Sequence, residues 1–211
     1  EKHGCFGTEN HGSRPGRQCI DALLEKLLIY EFARLSRTSL ITVDNDAKSC
    51  YDRIIRTLAM VACMSIGLPI AAAMMHNRTH QKMKHYIKSR HGLFRPYMGT
   101  EGDELEGTGQ GSGASPAIWL ILSVSLLAAF QHFSPGMTLV SPFDPLLVLS
   151  VLAIFYVDDG MPGVNDATDD SPRPLEELLQ EAEEKAQSWE RLLFASGGAL
   201  EFSKCFAYVL Y

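Results

Sequence analysis

The sequence predicts an α+β domain in which helices pack on one face of an antiparallel sheet. Long stretches with helical apolar spacing are separated by short, apolar or β-branched segments typical of buried strands. An Asp-Gly pair between apolar segments, at residues 159–160, indicates a tight hairpin. The order of these elements contains too few βα crossovers for a parallel, doubly wound fold.

In the first half of the chain, we expect a short strand between helices, with a strand-like stretch at the end. The apolar spacing predicts a helix over 20–35, a strand over 39–43, a helix over 51–66, a second helical segment from residue 70 and strand-like structure after it. The strand delivers Asp44, Asn45 and Asp46 at its end, and Gly67 with Pro69 stops the helix that follows.

In the second half, a hairpin lies between two helices. We expect a glycine-rich loop over 107–113, a helix over 115–131, an apolar run over 146–157, a polar loop over 162–174, a helix from residue 175 and a last strand over 199–211. Ser115 is expected to cap its helix, with Pro116 at the first helical position. Gly197 and Gly198 end the last helix.

Composition is that of one ordinary globular domain, with 46% apolar and 21% charged residues in a chain of 211. The five cysteines are scattered and form no CxxC pair, which argues against a disulfide framework or a zinc cluster. No apolar stretch reaches the roughly 18–20 residues of a membrane helix, and we expect no signal peptide. We therefore expect an intracellular protein of the cytoplasm or nucleus, without a membrane partner, cut from a longer chain. Its oligomeric state stays open.

Charge is distributed unevenly along the chain. Residues 1–100 hold 15 Lys and Arg against 8 Asp and Glu, whereas residues 101–211 hold 4 against 17. Within the basic half, residues 78–95 carry no acid and interleave cations with Tyr86 and Phe94, which is typical of a phosphate-contacting surface. The candidate nucleic-acid-binding residues are Arg78, Lys82, Lys84, Lys88 and Arg90. A solvated basic face of an amphipathic element is the alternative.

Three acids stand at expected strand ends among apolar neighbours. Asp46 follows the first strand, and Asp158 with Asp159 follows the apolar run. If strand and hairpin are neighbours, the carboxylates converge and could hold two Mg²⁺ ions about 3.5–4 Å apart, the arrangement used for phosphoryl transfer. Taken alone, Asp-Asp-Gly is more typical of a surface turn.

Several motifs in this order resemble those of reverse transcriptases. QGSGASP at 110–116 resembles their QGxxxSP motif, FYVDD at 155–159 their YxDD box, and DAKSCYDRI at 46–54 their DxKxxFDxI pattern. GGALEFSK at 197–204 is similar to a later palm segment, and HGSRPGRQCIDAL at 11–23 to the GFRxGRSTxDAL stretch of retroelement enzymes, without the aromatic after Gly12. The resemblance covers about residues 11–211.

The resemblance implies a polymerase palm over 39–211, with partial fingers over 1–38, from a retrotransposon-type element. The family's activity is RNA-directed DNA synthesis, in which two Mg²⁺ ions, with Mn²⁺ as a possible substitute, join deoxynucleotides (dNTPs) to the 3′-hydroxyl of a DNA primer on an RNA template. We expect full fingers and a thumb to lie outside this sequence, so activity of this chain alone stays open.

The resemblance also implies catalytic roles. Asp46 matches the first metal-binding Asp, Asp158 the second, and Asp159 the companion acid of the box. Lys204 matches a lysine near the triphosphate, where it would donate a proton to the departing pyrophosphate or stabilise its charge. Without the motifs, Lys204 is simply a solvated residue at a strand end.

Five further residues match substrate-binding positions of the family. Tyr51 falls where an aromatic excludes the sugar 2′-hydroxyl, although a core aromatic is the alternative for it. Gln110 and Gly111 match residues beside the templating base and the incoming nucleotide. Arg14 and Arg17 would be remnants of the fingers surface that contacts the triphosphate.

Two other functions remain open from the sequence. A viral RNA-directed RNA polymerase has the same palm, but such enzymes usually carry an acid where Tyr51 stands and a Gly before the acid pair, where this chain has Tyr156 and Val157. A decayed or co-opted palm that only binds nucleic acid or a partner is the second alternative.

Overall fold

A computed structural model describes residues 6–98, 107–166 and 173–211 of the chain. Its helices are α1 (Cys19–Ser36), α2 (Cys50–Arg53), α3 (Arg56–Ser65), α4 (Ile70–Gln81), α5 (Ser115–Phe130) and α6 (Leu175–Ala195). Its strands are β1 (Leu40–Asp46), β2 (His85–Ser89), β3 (Gly92–Met98), β4 (Met137–Val140), β5 (Val148–Val151), β6 (Ala153–Tyr156), β7 (Asp159–Asn165) and β8 (Phe206–Leu210). In these ranges no helix is both long and apolar enough to cross a membrane.

The central sheet is antiparallel, as the sequence predicts. Its four strands run in the order β6-β7-β1-β8. β1 pairs with β7 from Leu40 opposite Asn165 to Asp46 opposite Asp159, and with β8 on its other side. Two hairpins, β2–β3 and β4–β5, complete the strands of the described residues.

The sheet buries apolar side chains on both faces. On one face, Ile41 and Val164 pack against Leu178 and Ala182 of α6. The largest cluster lies on this side, where Trp189 contacts Phe130 and Phe155 with ring centroids 5.8 and 4.7 Å away. The layer of α3, α5 and α6 therefore covers one face, and the α+β fold class is confirmed.

The first helix departs from this layer. Leu40 and Met161 point to the opposite face, where they pack with Ala22, Ile29 and Ala33 of α1. Since side chains alternate along a strand, the acids at the end of β1 share the face that α1 partly covers.

The helix predicted over 51–66 is interrupted. It forms as α2 and α3, separated at Ile54 and Ile55. The Ile54 carbonyl accepts a hydrogen bond from the Gly107 amide at 3.0 Å, and the Ile55 amide donates to the Ser196 carbonyl at 2.8 Å. These tertiary hydrogen bonds replace the helical ones, which the local apolar pattern could not indicate.

Ser115 does not cap α5. It is the first helical residue, and the cap position is Ala114. The Ser115 hydroxyl lies 2.8 Å from the Thr108 carbonyl and 2.9 Å from that of Gly109. Its buried side chain thus ties the helix start to the glycine-rich loop instead of to the helix amides.

Two predicted segments at the C-terminal end also differ. The loop expected over 162–174 begins later, because β7 continues to Asn165; residues 167–172 lie outside the described part of the chain. β7 accommodates Pro162 because its pairing with β1 passes over that residue, which has no N–H to donate. The strand expected over 199–211 contains a 3₁₀ turn at Phe202–Lys204 before β8.

The end of α6 forms as predicted. Gly197 has φ +92°, and the amides of Gly197 and Gly198 donate to the carbonyls of Phe194 and Leu193, each at 2.9 Å. This pattern closes the helix with a left-handed residue. A Cβ on Gly197 would lie 2.3 Å from the Arg53 carbonyl, so the turn packs directly on the backbone beside α2.

We expect Gly197→Ala to destabilise the fold more than Gly16→Ala. Both glycines have positive φ, which costs an L residue about 1–2 kcal/mol. Only Gly197 also meets backbone, whereas a Cβ on Gly16 meets nothing within 4 Å, so Gly197→Ala should lose about 1–3 kcal/mol more. Urea denaturation measures both; equal losses would contradict the packing argument.

Candidate active site

A two-residue turn, Val157 and Asp158, joins β6 to β7. Tyr156 pairs with Asp159 across it, so the hairpin that the sequence predicts is present, with its turn two residues earlier than the Asp-Gly pair. Gly160 lies within β7. A Cβ there would fall 2.3 Å from the Phe155 ring, so the position requires glycine. This glycine serves strand packing, and the hairpin tip carries Asp158.

The structure brings the three predicted acids together. Asp46 ends β1 directly opposite Asp159, and the next amide, that of Ala47, donates to the Asp158 carbonyl at 3.0 Å. Asp46 is buried, Asp158 is half-buried and Asp159 lies at the exposed rim. Two strands from distant parts of the chain thus present their carboxylates at one point.

These acids line a cleft of about 480 Å³ on the face of the sheet shared with α1. One wall consists of α1 residues that include Ala22, Leu23 and Lys26. Lys204 and Phe206 also line the cleft. The cleft therefore combines these three acids with two lysines, Lys26 and Lys204.

Lys204 bonds directly to the first acid. Its ammonium lies 2.5 Å from Asp46 Oδ2, although the lysine side chain itself is exposed. The chain positions it there because the Glu201 amide donates to the Asp46 carbonyl at 2.9 Å, just before the 3₁₀ turn. The bond to Asp46 and its negative charge raise the pKa of Lys204.

A second ion pair in the cleft was missed by the sequence reasoning. Lys26 Nζ lies 2.6 Å from both carboxylate oxygens of Asp44, two residues before Asp46 on the same face of β1. Nothing in the helical spacing distinguishes Lys26 from the other polar residues of α1, so only the packing of α1 on β1 reveals it.

Burial and mutual repulsion act on the hairpin acids. Desolvation raises the pKa of Asp158 most, and the negative charge of Asp46 raises it further, while Lys204 and the residue's own backbone amide oppose the shift. Partial desolvation also raises the pKa of Asp159, followed by the charges of Asp158 and Asp46. The floor of the cleft therefore favours additional positive charge.

The donor chemistry of this floor fits a hard divalent cation. Carboxylate oxygens are the ligands that Mg²⁺ prefers, and the carboxylates of Asp46, Asp158 and Asp159 all line this cleft. Across the described residues, however, no three His, Cys, Asp or Glu side chains already form a ligand set. Lys204 is bonded to one carboxylate oxygen of Asp46.

The predicted nucleotide-binding residues lie on elements tied to the end of β1. Tyr51 is half-buried on α2, packs against the main core and has its pKa raised by burial, by Cys50 and by Asp158. The Tyr51 carbonyl accepts a hydrogen bond from the Thr108 backbone amide at 2.7 Å. The backbone N–H of the exposed Gln110 donates to Asp52 Oδ1 at 2.9 Å. The loop is thereby held against α2.

Gly111 follows in this loop with φ +91° and open space where a Cβ would stand. A ligand could therefore approach its backbone without meeting a side chain.

Arg14 and Arg17 do not line the acidic cleft. The Arg14 guanidinium bonds to the carbonyls of Gly7 and Asn10, and Arg17 is exposed just before α1. Their predicted contact with a triphosphate stays a prediction.

The predicted basic surface lies on α4 and on the β2–β3 hairpin. Its five cations are all exposed: Arg78, Lys82, Lys84, Lys88 and Arg90. Tyr86 and Phe94 of the hairpin are also exposed. Cations and rings therefore alternate on one solvent-accessible segment.

The chain is similar in structure to telomerases. It matches apo telomerase from Candida tropicalis truncated from its C-terminal domain with a TM-score of 0.55 at 15% identity, covering 96% of this chain and 36% of that one. Telomerase from Candida albicans in complex with a TWJ fragment of telomeric RNA matches with a TM-score of 0.53 at 15% identity, over 90% and 30%. The corresponding Candida tropicalis complex matches at 0.57 and 13%, over 95% and 30%.

These likenesses show the fold alone, which is reverse-transcriptase-like. The chain spans about a third of the length of the telomerases it matches. No family model matches the sequence, and none of the curated proteins does. The family resemblance is thus confirmed at the level of the fold, and a retrotransposon origin stays a prediction.

We expect Asp158→Asn to stabilise the metal-free protein at neutral pH. A carboxyl whose pKa is raised by folding holds its proton more tightly when folded, so stability falls as the pH rises above the ordinary Asp value of about 4. The substitution should raise the urea midpoint at pH 7, measured with a chelator, and leave it unchanged near pH 3.

Asp44→Asn is the matched control for this experiment. It removes the ion pair with Lys26 and should lower the midpoint at pH 7. A lower midpoint for Asp158→Asn as well would contradict the crowding of acids at the hairpin.

Proposed function

We propose that this chain is the catalytic palm, with part of the fingers, of an RNA-directed DNA polymerase from a retrotransposon-type element. The observation that carries the proposal is the meeting of Asp46 with Asp158 and Asp159 at the open end of a sheet in a telomerase-like fold. The motif order in the sequence supports the same assignment.

The three acids are the proposed ligands of two Mg²⁺ ions, for which Mn²⁺ could substitute. When bound, such ions lower the pKa of an attacking hydroxyl and stabilise the leaving oxygen. The residues of the chain supply the frame: Asp46 at the end of β1 pairs with Asp159 of β7, its carbonyl accepts the Glu201 amide at 2.9 Å, and the hairpin turn presents Asp158. Asp46 must release Lys204 before both of its oxygens are available.

Lys204 is the proposed group at the departing pyrophosphate. Its ammonium is exposed apart from the bond to Asp46, and its raised pKa keeps it protonated at neutral pH. A protonated amine at the rim of the cleft can stabilise negative charge on a phosphate or transfer a proton to it.

Substrate selection is proposed to rest on α2 and the glycine-rich loop. Tyr51 would exclude a 2′-hydroxyl, because its ring is braced by the core on one side and only half-buried. Gln110 and Gly111 would lie beside the nascent base pair, where the open space at Gly111 lets a base approach the backbone. The expected substrates are dNTPs.

The template and primer are proposed to contact α4 and the β2–β3 hairpin. Exposed cations neutralise phosphates, and exposed rings such as Tyr86 and Phe94 stack on unpaired bases. The RNA named with two of the telomerase structures accords with a nucleic-acid partner, here an RNA template with a DNA primer.

A co-opted palm that only binds nucleic acid is the second candidate. The observation that favours it is the ion pair of Lys204 with Asp46, in which the lysine supplies a counter-charge to the first acid. Titration with Mn²⁺ separates the two functions: a catalytic palm binds it in a manner that depends on Asp46, and a co-opted one does not.

We expect Asp158→Asn to lower the rate of Mg²⁺-dependent dNTP incorporation on a primed RNA template by about 10²-fold or more. The assay uses the longest protein that contains this chain, so that all nucleic-acid contacts are present. Asp166→Asn serves as control, since Asp166 lies past the end of β7, away from the hairpin tip. Equal rates for the parent and Asp158→Asn would rule out the mechanism.

We expect replacement of Lys84 and Lys88 by Gln to weaken binding to a primer–template duplex. Each lost phosphate contact should reduce the slope of log K against log salt by about 1, so the double variant loses about 2. Replacement of Arg191, an exposed arginine on α6, should leave the slope unchanged. The same slope in both variants would place the nucleic acid elsewhere.

A further inference from the structure

The hairpin tip that carries Asp158 has a strained backbone. Val157 has φ +58°, a left-handed conformation that is unfavourable for a β-branched residue. Such a conformation persists only where surrounding contacts determine it. The contacts around Val157 therefore decide where the following residue, Asp158, points.

The backbone of the tip is held from two further sides. Gly12 packs against it so closely that a Cβ there would lie 2.3 Å from the Val157 amide nitrogen. The Ala47 amide holds the Asp158 carbonyl at 3.0 Å. The segment before α1, which contains Gly12 and is called the N-terminal segment below, thus contacts Val157, and the residue after β1 bonds to Asp158.

The remaining anchor comes from α5. The Trp119 indole Nε1 donates to the Val157 carbonyl at 2.7 Å, and the side chain is 2% exposed. That carbonyl and the Asp158 amide belong to one planar peptide unit, so a bond to the carbonyl also sets the direction of the Asp158 amide. α5 in turn is bonded to the N-terminal segment, since Asn10 Nδ2 donates to Ser123 at 2.8 Å.

We propose that Trp119 is a positioning residue whose indole N–H fixes the Val157–Asp158 turn so that Asp158 faces Asp46. The inference rests on the proposed function for its consequence, because the acids are there the groups that hold the metal ions. A phenylalanine at this position would fill most of the same space and leave the Val157 carbonyl without its donor.

Trp119→Phe tests this role, and Trp189→Phe is the matched control. Both tryptophans are 2% exposed in the same core, and Trp189 packs on Phe130 and Phe155 with no hydrogen bond to the turn among the described residues. Hydrogen exchange of the Ala47 amide reports whether the turn stays docked on β1. Global stability is measured separately by urea denaturation.

With global stability taken into account, we expect exchange at Ala47 to be about three- to tenfold faster in Trp119→Phe than in Trp189→Phe. Equal exchange would overturn the proposal. Should Trp119→Phe fail to fold, the unaltered protein decides: scalar coupling between the indole nitrogen and the Val157 carbonyl carbon is expected, and its absence would overturn the assignment.

Binding of Mn²⁺ alone gives the functional readout. We expect Trp119→Phe to bind it about tenfold more weakly, as is common when a group that orients a ligand is lost, and Trp189→Phe to bind it as the parent does. If Mn²⁺ binding by the parent requires Asp46 and Trp119→Phe binds Mn²⁺ with the same affinity as the parent, the positioning role is overturned. If the parent shows no Asp46-dependent binding, the proposed function fails, and exchange at Ala47 alone decides the role of Trp119.

Discussion

The antiparallel register of β1 is the constraint on which the rest of the structure depends. Pairing that runs from Leu40 opposite Asn165 to Asp46 opposite Asp159 decides which residues share a face and which acids meet. A slip by one residue would move Asp46 to the face covered by α5 and α6, because side chains alternate along a strand. The burial of Ile41 against α6 and of Leu40 against α1 opposes such a slip from both sides.

This register also brings several carboxylates together, and two lysines form ion pairs with them. Lys26 from α1 bonds Asp44, and Lys204 from the C-terminal segment bonds Asp46, so cations from opposite ends of the chain meet one strand. The hairpin acids keep raised pKa values despite these partners. Under the proposed function, a divalent cation would take the place of Lys204 at Asp46.

Support for the hairpin comes from parts of the chain remote from it in sequence. The Phe155 amide and carbonyl bond to Glu9 and His11 of the N-terminal segment, so this segment extends the sheet beside β6. The helices behind the sheet contribute through Trp119 and through the packing of Trp189 on Phe155. The position of the acids is thus a property of the whole domain, in which α5, the N-terminal segment and β1 act on the same two-residue turn.

Local patterns in the sequence were sufficient for the fold class, for α1, α4, α5 and α6, and for the three acids as candidates, because apolar spacing and terminating glycines such as Gly197 act within a few residues. They were insufficient where backbone groups bond to distant segments, as at Ile54 and Ile55, or where a side chain finds a tertiary partner, as Ser115 does. The pairing of Lys26 with Asp44, the shift of the turn to Val157 and Asp158, and the donor role of Trp119 were likewise decided by tertiary structure. Each depends on which surfaces meet after the sheet has formed, and no periodicity within one segment encodes the identity of its distant neighbour.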